Sequence, residues 1–334
     1  MSIFSSIVTT INNPTKQILK LNQIVNNNKG TQIIVCDKKT PVDFYLQDAV
    51  VLNVELQKKL AYNLIKKTPY NHYSRKNIGY IYSIKEGFKL LYETDDDNEP
   101  TDNWLIPSSS HSEYIEASSD DINLNIYSIY TNELVWPRGL PLSSIHSKVN
   151  TKHITSSSKI FSIQQGLANG SPDVDAIWRL LYDKEVYFNE LTLPVCVKNS
   201  NYVPFNSQNT WWFEAAFALL YLPSYCSFRM TDIWRSFVSQ ACLSASNMNI
   251  LYKNADVYQD RNIHDLSNDF ALEVSGYLSN KDIINDLSSS SLITNSNSIE
   301  DNLFNSYKIL CDKKYIEDDE LFLIDLWLKD VGVS

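Results

Sequence analysis

The stretch LLYETDDDN, residues 90–98, decides the fold, because a short apolar run ends there directly in three aspartates. The preceding residues 75–89 (RKNIGYIYSIKEGFK) place Ile78, Tyr82 and Phe88 near one face of a helix. The spacing predicts a helix over 75–89 followed by a strand over 90–94. A helix that leads into a buried strand is one half of a βαβ unit.

The residues before this stretch repeat the same alternation. Short β-branched runs predict strands at 3–9, 31–36 and 49–54, while helical spacing predicts helices from Pro14 and over 56–64. Strands that alternate with helices of this length are typical of an α/β fold, with a mostly parallel sheet flanked by helices. Beyond residue 100 the pattern changes. Residues 101–158 are Ser-rich and irregular, and helices are predicted over 210–221, 231–246 and in an acidic tail.

These patterns divide the chain into three segments. We expect residues 1–135 to carry the parallel sheet, 136–247 to complete its ligand site, and 248–334 to form an acidic helical region that buttresses the rest. The low-complexity run at 288–298 (SSSSLITNSNS) predicts a loop, and His264 is expected to have a structural role.

Composition and charge narrow the class of protein. Hydrophobic residues make up 43% and charged residues 20%, as in a folded globular protein, and the net charge of -10 argues against a nucleic-acid partner. No signal peptide is recognisable, and no window approaches the roughly 18 apolar residues that cross a bilayer. The five cysteines are odd in number and form no CxxC pair. We therefore expect a cytoplasmic protein without a membrane span.

The aspartates after the strand at 90–94 mark a candidate metal site. The carboxyl ends of parallel strands meet at one edge of a sheet, and ligands bind there. Asp95 and Asp97 are predicted to hold Mn²⁺ or Mg²⁺, which take one or two carboxylates and complete their shell with phosphate oxygens. An isolated run of aspartates is more often a solvated turn, but its position at the ligand edge favours the metal site.

Other polar residues follow the strands at the same edge. The candidates for binding a phosphorylated ligand there are Thr9, Thr10, Asn12, Asp37, Lys39 and Asp96. Arg75 and Asn77, at the predicted helix start, are expected to face phosphates with help from the helix dipole. An exposed turn is the alternative for Lys39.

Eight motifs occur in order along the chain: VTTINNPT (8–15), DKKTP (37–41), YSRKNIGY (73–80), DDDNE (95–99), WPRGLPL (136–142), QQGLANGSPDVDAIWRL (164–180), VPFNSQNT (203–210) and TDIWRS (231–236). Together they resemble the STELLO-type glycosyltransferases of plants and their microbial relatives, which are similar to the UDP-arabinopyranose mutase (reversibly glycosylated polypeptide) group. The resemblance implies a GT-A-like fold, a nucleotide-sugar donor, with a UDP-sugar favoured, and Mn²⁺ or Mg²⁺. It also implies a sugar, glycolipid or glycan acceptor. It is compatible with assembly of the chain into a homo-oligomer.

The resemblance also implies roles for residues of the second half. In inverting GT-A enzymes an acidic pair that heads a helix supplies the general base for the acceptor hydroxyl, and Asp173 and Asp175 are similar in placement. We favour Asp175, since Asp173 after Pro172 is the candidate helix cap. The expected donor site is completed by residues of the second-half motifs: Arg138, Gln165, Asn206 and Arg235. Alternatively, Asn206 caps a helix, and Arg235 joins an internal ion-pair ladder with Asp232.

Two other functions remain open at this point. A nucleotide-sugar mutase would use the same donor site without an acceptor pocket. A non-catalytic scaffold of a glycosylation complex would keep the fold and the nucleotide site while losing the chemistry.

Overall fold

The computed structural model describes residues 3–155, 158–260, 265–290 and 298–332. Its strands are β1 (Ser5–Thr10), β2 (Thr31–Cys36), β3 (Ala49–Leu52), β4 (Leu90–Thr94), β5 (Asn98–Pro100), β6 (Ser110–His111), β7 (Tyr114–Ser119), β8 (Val149–Ile154), β9 (Lys159–Ile160), β10 (Ile163–Gly170), β11 (Val195–Val197), β12 (Asn209–Phe213) and β13 (Ile250–Gln259). Its α-helices are α1 (Lys16–Asn27), α2 (Val54–Lys59), α3 (Lys76–Lys85), α4 (Tyr127–Tyr130), α5 (Ala176–Tyr182), α6 (Thr231–Ala245), α7 (Leu266–Ser288), α8 (Ile299–Asp312) and α9 (Glu320–Val331). His264 and most of the predicted loop at 288–298 lie outside the described residues.

One large sheet organises the described part of the chain. Its order is β3-β2-β1-β4-β12-β10-β13-β11-β7-β8, and β5 pairs with β13. The strands β3, β2, β1 and β4 are parallel, whereas β12 joins β4 and β10 in antiparallel orientation. The structure confirms the predicted α/β fold with a large central sheet flanked by helices, and it agrees with the expected GT-A-like arrangement.

Two local features hold the helices against the parallel half of the sheet. Thr15 caps α1 by accepting a hydrogen bond from the Ile18 amide at 3.1 Å, and the apolar face of α1 is buried. In α3, Gly79 permits a close approach to the sheet, because a Cβ at this position would lie 2.6 Å from Cγ2 of Ile7. The start of α3 is thereby fixed beside the carboxyl ends of β1, β2 and β4.

The predicted helix over 210–221 is wrong. The structure has the strand β12 there, followed by a 3₁₀ helix at Glu214–Leu220. The strand lies between β4 and β10 and is buried on both faces, so Trp211 and Trp212 are both fully buried. A continuous apolar run of this kind has the same hydrophobicity pattern as a buried helix, and periodicity does not separate the two.

The central sheet crosses the boundaries between the three predicted segments. Because β4 from residues 1–135 pairs along its whole length with β12 from residues 136–247, these two segments share one sheet. Residues 248–334, predicted as a helical region, begin with β13, which lies between β10 and β11 in the same sheet, and continue with α7, α8 and α9. Within the described residues, no helix is both long enough and apolar enough to cross a bilayer.

Candidate functional site

A cavity of about 860 Å³ opens at the carboxyl edge of β1, β2 and β4. Its volume lies within the range of about 300–1,000 Å³ that is usual for ligand pockets. The end of β10, the residues before β12 and the start of α6 form the opposite wall. The predicted site residues that line it are Thr9, Thr10, Asn12, Asp37, Lys39, Arg75, Asp95, Asp96, Asp97, Arg138, Asp173 and Asn206.

The three aspartates form the turn that carries the chain out of β4. The amide of Asn98 donates to the carbonyl of Asp95 at 3.4 Å, and β5 then leaves to pair with β13. A turn of this kind presents three consecutive carboxylates at the ligand edge of the sheet. Their hydrogen bonds give them different roles.

Asp96 fastens this turn to β1. Its Oδ2 accepts from the Thr10 hydroxyl at 2.6 Å and from Asn12 Nδ2 at 3.1 Å, and its carbonyl accepts from the Thr15 hydroxyl at 2.7 Å. Burial raises the pKa of Asp96 even though the hydrogen bonds from Thr10 and Asn12 act in the opposite direction. In this structure Thr10, Asn12 and Asp96 are therefore bonded to one another at the wall of the cavity.

Asp95 is held from behind by the start of α3 and by the 3₁₀ helix Tyr73–Arg75 that precedes it. Its Oδ1 accepts from the Tyr73 hydroxyl at 2.7 Å and from Lys76 Nζ at 2.9 Å. Burial, together with the nearby Asp95, raises the pKa of Tyr73, so this phenol is a neutral donor. The Tyr73 hydroxyl also contacts the hydroxyl of Ser207, which links the aspartate turn to the opposite wall.

Asp97 faces the second half of the chain. Its Oδ2 accepts from Gln259 Nε2 at 3.1 Å, and Gln259 Oε1 in turn accepts from Gln208 Nε2 at 2.5 Å. Asp95 and Asp97 both line the cavity, while no group of three or more candidate ligand side chains occurs among the described residues. Two carboxylates fit Mg²⁺ or Mn²⁺, because these ions complete their shell with water and phosphate oxygens.

Asp37 and Arg75 organise the loops that follow β2 and precede α3. Asp37 Oδ2 accepts from the Asn71 amide at 2.7 Å and lies 3.9 Å from Arg75 Nε. The Arg75 guanidinium lies 4.2 Å from the centre of the Tyr70 ring and donates to the Thr68 carbonyl at 3.3 Å. Arg75 thus borders the cavity, but almost all of its surface is buried against these loops.

Arg138 is the centre of the opposite wall. It donates to both oxygens of Asp173, at 2.7 and 2.8 Å, and to both oxygens of Asp232, at 3.1 and 3.0 Å. Burial lowers the pKa of Arg138, but the two carboxylates outweigh it and hold that pKa well above its ordinary value. Burial alone would raise the pKa of Asp232. The charge and hydrogen bonds of Arg138 outweigh burial, so the pKa of Asp232 is lowered. Both groups are therefore charged.

Asp173 is the accessible member of this cluster. Its side chain is 12% exposed, and it accepts a further hydrogen bond from Asn206 Nδ2 at 3.0 Å. A carboxylate has about four acceptor positions, and the bonds from Arg138 and Asn206 use three of them. One acceptor position of Asp173, on Oδ1, is left at the edge of the cavity.

Asp175 lies outside the cavity lining, and this reverses the expected roles of the acidic pair. It is fully buried and caps α5, where it accepts from the Trp178 amide at 2.8 Å and from Trp136 Nε1 at 2.7 Å. Burial raises the pKa of Asp175 to about 6. The cap is thus Asp175, and Asp173 is the residue that meets the ligand space.

Three further predicted binding residues, Asn77, Gln165 and Arg235, also lie outside the lining. Asn77 bonds the backbone of Leu222 through its amide nitrogen and its oxygen, both at 2.9 Å. Gln165 supports Asn206 from behind, because its Oε1 accepts from the Asn206 amide at 3.1 Å.

Arg235 belongs to a buried ion pair, but its partner is Glu93 and not Asp232, the partner in the alternative that the sequence left open. It donates to both oxygens of Glu93, at 2.9 and 2.8 Å, and neither side chain is more than 1% exposed. Trp212 Nε1 donates to the same carboxylate at 2.8 Å. The Tyr80 hydroxyl also donates to this carboxylate. Glu93 is in the interior of β4, so Arg235 links α6 to the centre of the sheet.

The cavity contains residues that the sequence analysis did not select as binding residues: His72, Tyr73, Pro172, Arg179, Gln208, Phe228, Arg229, Asp232 and Gln259. The 3₁₀ helix Phe228–Met230 and the end of β13 are brought here by tertiary packing. Six aspartates and five arginine or lysine side chains line the cavity, which gives a formal charge of -1. The lining therefore supplies no excess of positive charge for a diphosphate.

The fold and the cavity define a class, namely α/β proteins that present paired carboxylates at the strand ends of a ligand pocket. Residues 229–333 match the family model described as STELLO glycosyltransferases. The chain is also 30% identical over 259 residues to "Probable glycosyltransferase STELLO1" and "Probable glycosyltransferase STELLO2" of Arabidopsis thaliana. These matches cover 71% of this chain and 33% of each relative, so the chain spans about a third of their length. These matches confirm the predicted resemblance to the STELLO-type glycosyltransferases.

Proposed function

We propose that this chain transfers a sugar from a nucleotide diphosphate, with a UDP-sugar favoured, to a hydroxyl of a sugar, glycolipid or glycan. The observation that carries the proposal is the placement of Asp95 and Asp97 at one wall of the cavity and of Asp173 at the other. The first wall suits the diphosphate of a donor, and the second suits the hydroxyl of an acceptor. The similarity to STELLO glycosyltransferases supports the same reaction class.

The donor side depends on a cation in this proposal. Asp95 and Asp97 would hold Mn²⁺ or Mg²⁺, which neutralises the charge that develops on a diphosphate leaving group. The near-balance of charge in the lining supports this role, because the protein's own cations do not offset a diphosphate. Asp37, which borders the cavity beside Arg75, would meet the nucleoside.

The acceptor side uses Asp173 as the general base. Its remaining acceptor position takes the proton of the attacking hydroxyl, while Arg138 and Asn206 hold the carboxylate in one orientation. Arg138 is a positioning residue here, since it acts through Asp173. The products are the glycoside, the nucleoside diphosphate and the proton on Asp173.

The test is a transfer assay with a panel of UDP-sugars and sugar acceptors in the presence of Mn²⁺. Mass spectrometry of the products and release of UDP are followed together, with Asp97→Ala as the variant expected to lose both. A ring-isomerised donor formed without any acceptor product would support the mutase instead. Tight binding of UDP-sugars with neither product, across the whole panel, would support the scaffold.

A further inference from the structure

Lys76 lies directly behind the aspartate turn at residues 95–97. It is the first residue of α3, and its side chain is fully buried. Its Nζ is 2.8 Å from the Thr94 carbonyl oxygen, 2.9 Å from the Tyr73 hydroxyl and 2.9 Å from Asp95 Oδ1. An ammonium group has three N–H donors, and these three partners use all of them.

These contacts occupy one of the two oxygens of Asp95. Lys76 and Tyr73 both donate to Oδ1, and among the described residues none donates to Oδ2. The Asp95 side chain is 30% exposed and borders the cavity. A carboxylate oxygen accepts about two hydrogen bonds in its plane, so Oδ1 has no position left for a cation.

We propose that Lys76 sets the cation selectivity of this site by restricting Asp95 to coordination through Oδ2 alone. One-oxygen coordination suits the compact octahedral shell of Mn²⁺ or Mg²⁺, whereas Ca²⁺ often takes both oxygens of a carboxylate. The Lys76 charge also repels a divalent cation, so the ion binds well only with the negative charge of a diphosphate. The inference rests on the proposed function, because it requires Asp95 to be a cation ligand.

The experiment is calorimetric titration of Mn²⁺ and of Ca²⁺ into the protein without nucleotide. Lys76→Met removes the ammonium and frees one of the two acceptor positions on Oδ1, because the Tyr73 hydroxyl still donates to the other. We expect at least about tenfold tighter Mn²⁺ binding and a larger gain for Ca²⁺. The matched control is Lys89→Met, which removes the same charge from an exposed ion pair with Glu214 just before β4. It is expected to leave both affinities unchanged.

Tyr73→Phe is a second variant that tests the same idea without touching a charge. It removes one hydrogen bond to Oδ1 and preserves the ring, so the ratio of Ca²⁺ to Mn²⁺ affinity is expected to rise, by less than in Lys76→Met. Unchanged affinities in a folded Lys76→Met protein, or an unchanged ratio in Tyr73→Phe, would overturn the inference. A separate titration of UDP in Mn²⁺ distinguishes the two failures, because wild-type protein that does not bind there contradicts the proposed function itself.

Discussion

Replacing Arg235 by methionine is the clearest test of whether this residue is structural or binds the donor. The substitution leaves the Glu93 carboxylate buried without its ionic partner. Removing one member of a buried ion pair typically costs about 3–5 kcal/mol. Since Trp212 and Tyr80 still donate to Glu93, we expect the lower end, about 3 kcal/mol of unfolding free energy.

The assay is urea unfolding followed by tryptophan fluorescence, combined with calorimetric titration of UDP in Mn²⁺ on the folded variant. The folded fraction is expected to bind UDP with wild-type affinity, because Arg235 does not line the cavity. In the double variant Glu93→Gln/Arg235→Met no charge is left unpaired, so about 1 kcal/mol or more of the lost stability should return. Wild-type stability together with lost UDP binding would refute this reasoning and restore Arg235 to the donor site.

Three further substitutions separate binding, chemistry and support. Asp173→Asn should lower the transfer rate at saturating donor by at least about a hundredfold and leave UDP affinity unchanged, whereas an unchanged rate would remove Asp173 as the base. The folded pKa of Asp175, about 6, lies above its ordinary value of 3.8, so its contribution to stability is fully present below pH 3.8 and is lost as the pH rises through 6. Over this pH range the unfolding free energy of wild type should fall by about 3 kcal/mol more than that of Asp175→Asn, as thermal unfolding would show. Parallel plots of unfolding free energy against pH for the two proteins would contradict the assignment. Asn77→Ala leaves the amide and carbonyl of Leu222 unpaired, which should cost about 2–3 kcal/mol in urea unfolding without weakening UDP binding per folded molecule.

The sequence predicts the first wall of the cavity because its rules are local. An alternation of strands and helices brings the ends of β1, β2 and β4 to one edge. Thr10 is the last residue of β1, and Asp37 and Asp95 follow β2 and β4 directly. The strands at residues 31–36 and 90–94 even have the predicted bounds. No long-range contact is needed for this part of the argument.

The second wall depends on contacts between distant residues, which a single sequence does not reveal. Arg235 pairs with Glu93, 142 positions away, and Asn77 bonds Leu222, 145 positions away, so residues suited to a phosphate are used for support. Asp173 and Asp175 have the same chemistry two positions apart. Only the start of α5 decides that Asp175 caps the helix and that Asp173 faces the cavity.

The central claim is that a divalent cation at Asp95 and Asp97 couples the nucleotide diphosphate to this protein. The measurement that tests it most directly is calorimetric titration of UDP, first in EDTA and then in Mn²⁺, with wild-type protein and Asp97→Ala. We predict binding by wild type in Mn²⁺ only, and no binding by a folded Asp97→Ala protein in either buffer. Equal affinity of wild type for UDP in EDTA and in Mn²⁺ would contradict the claim.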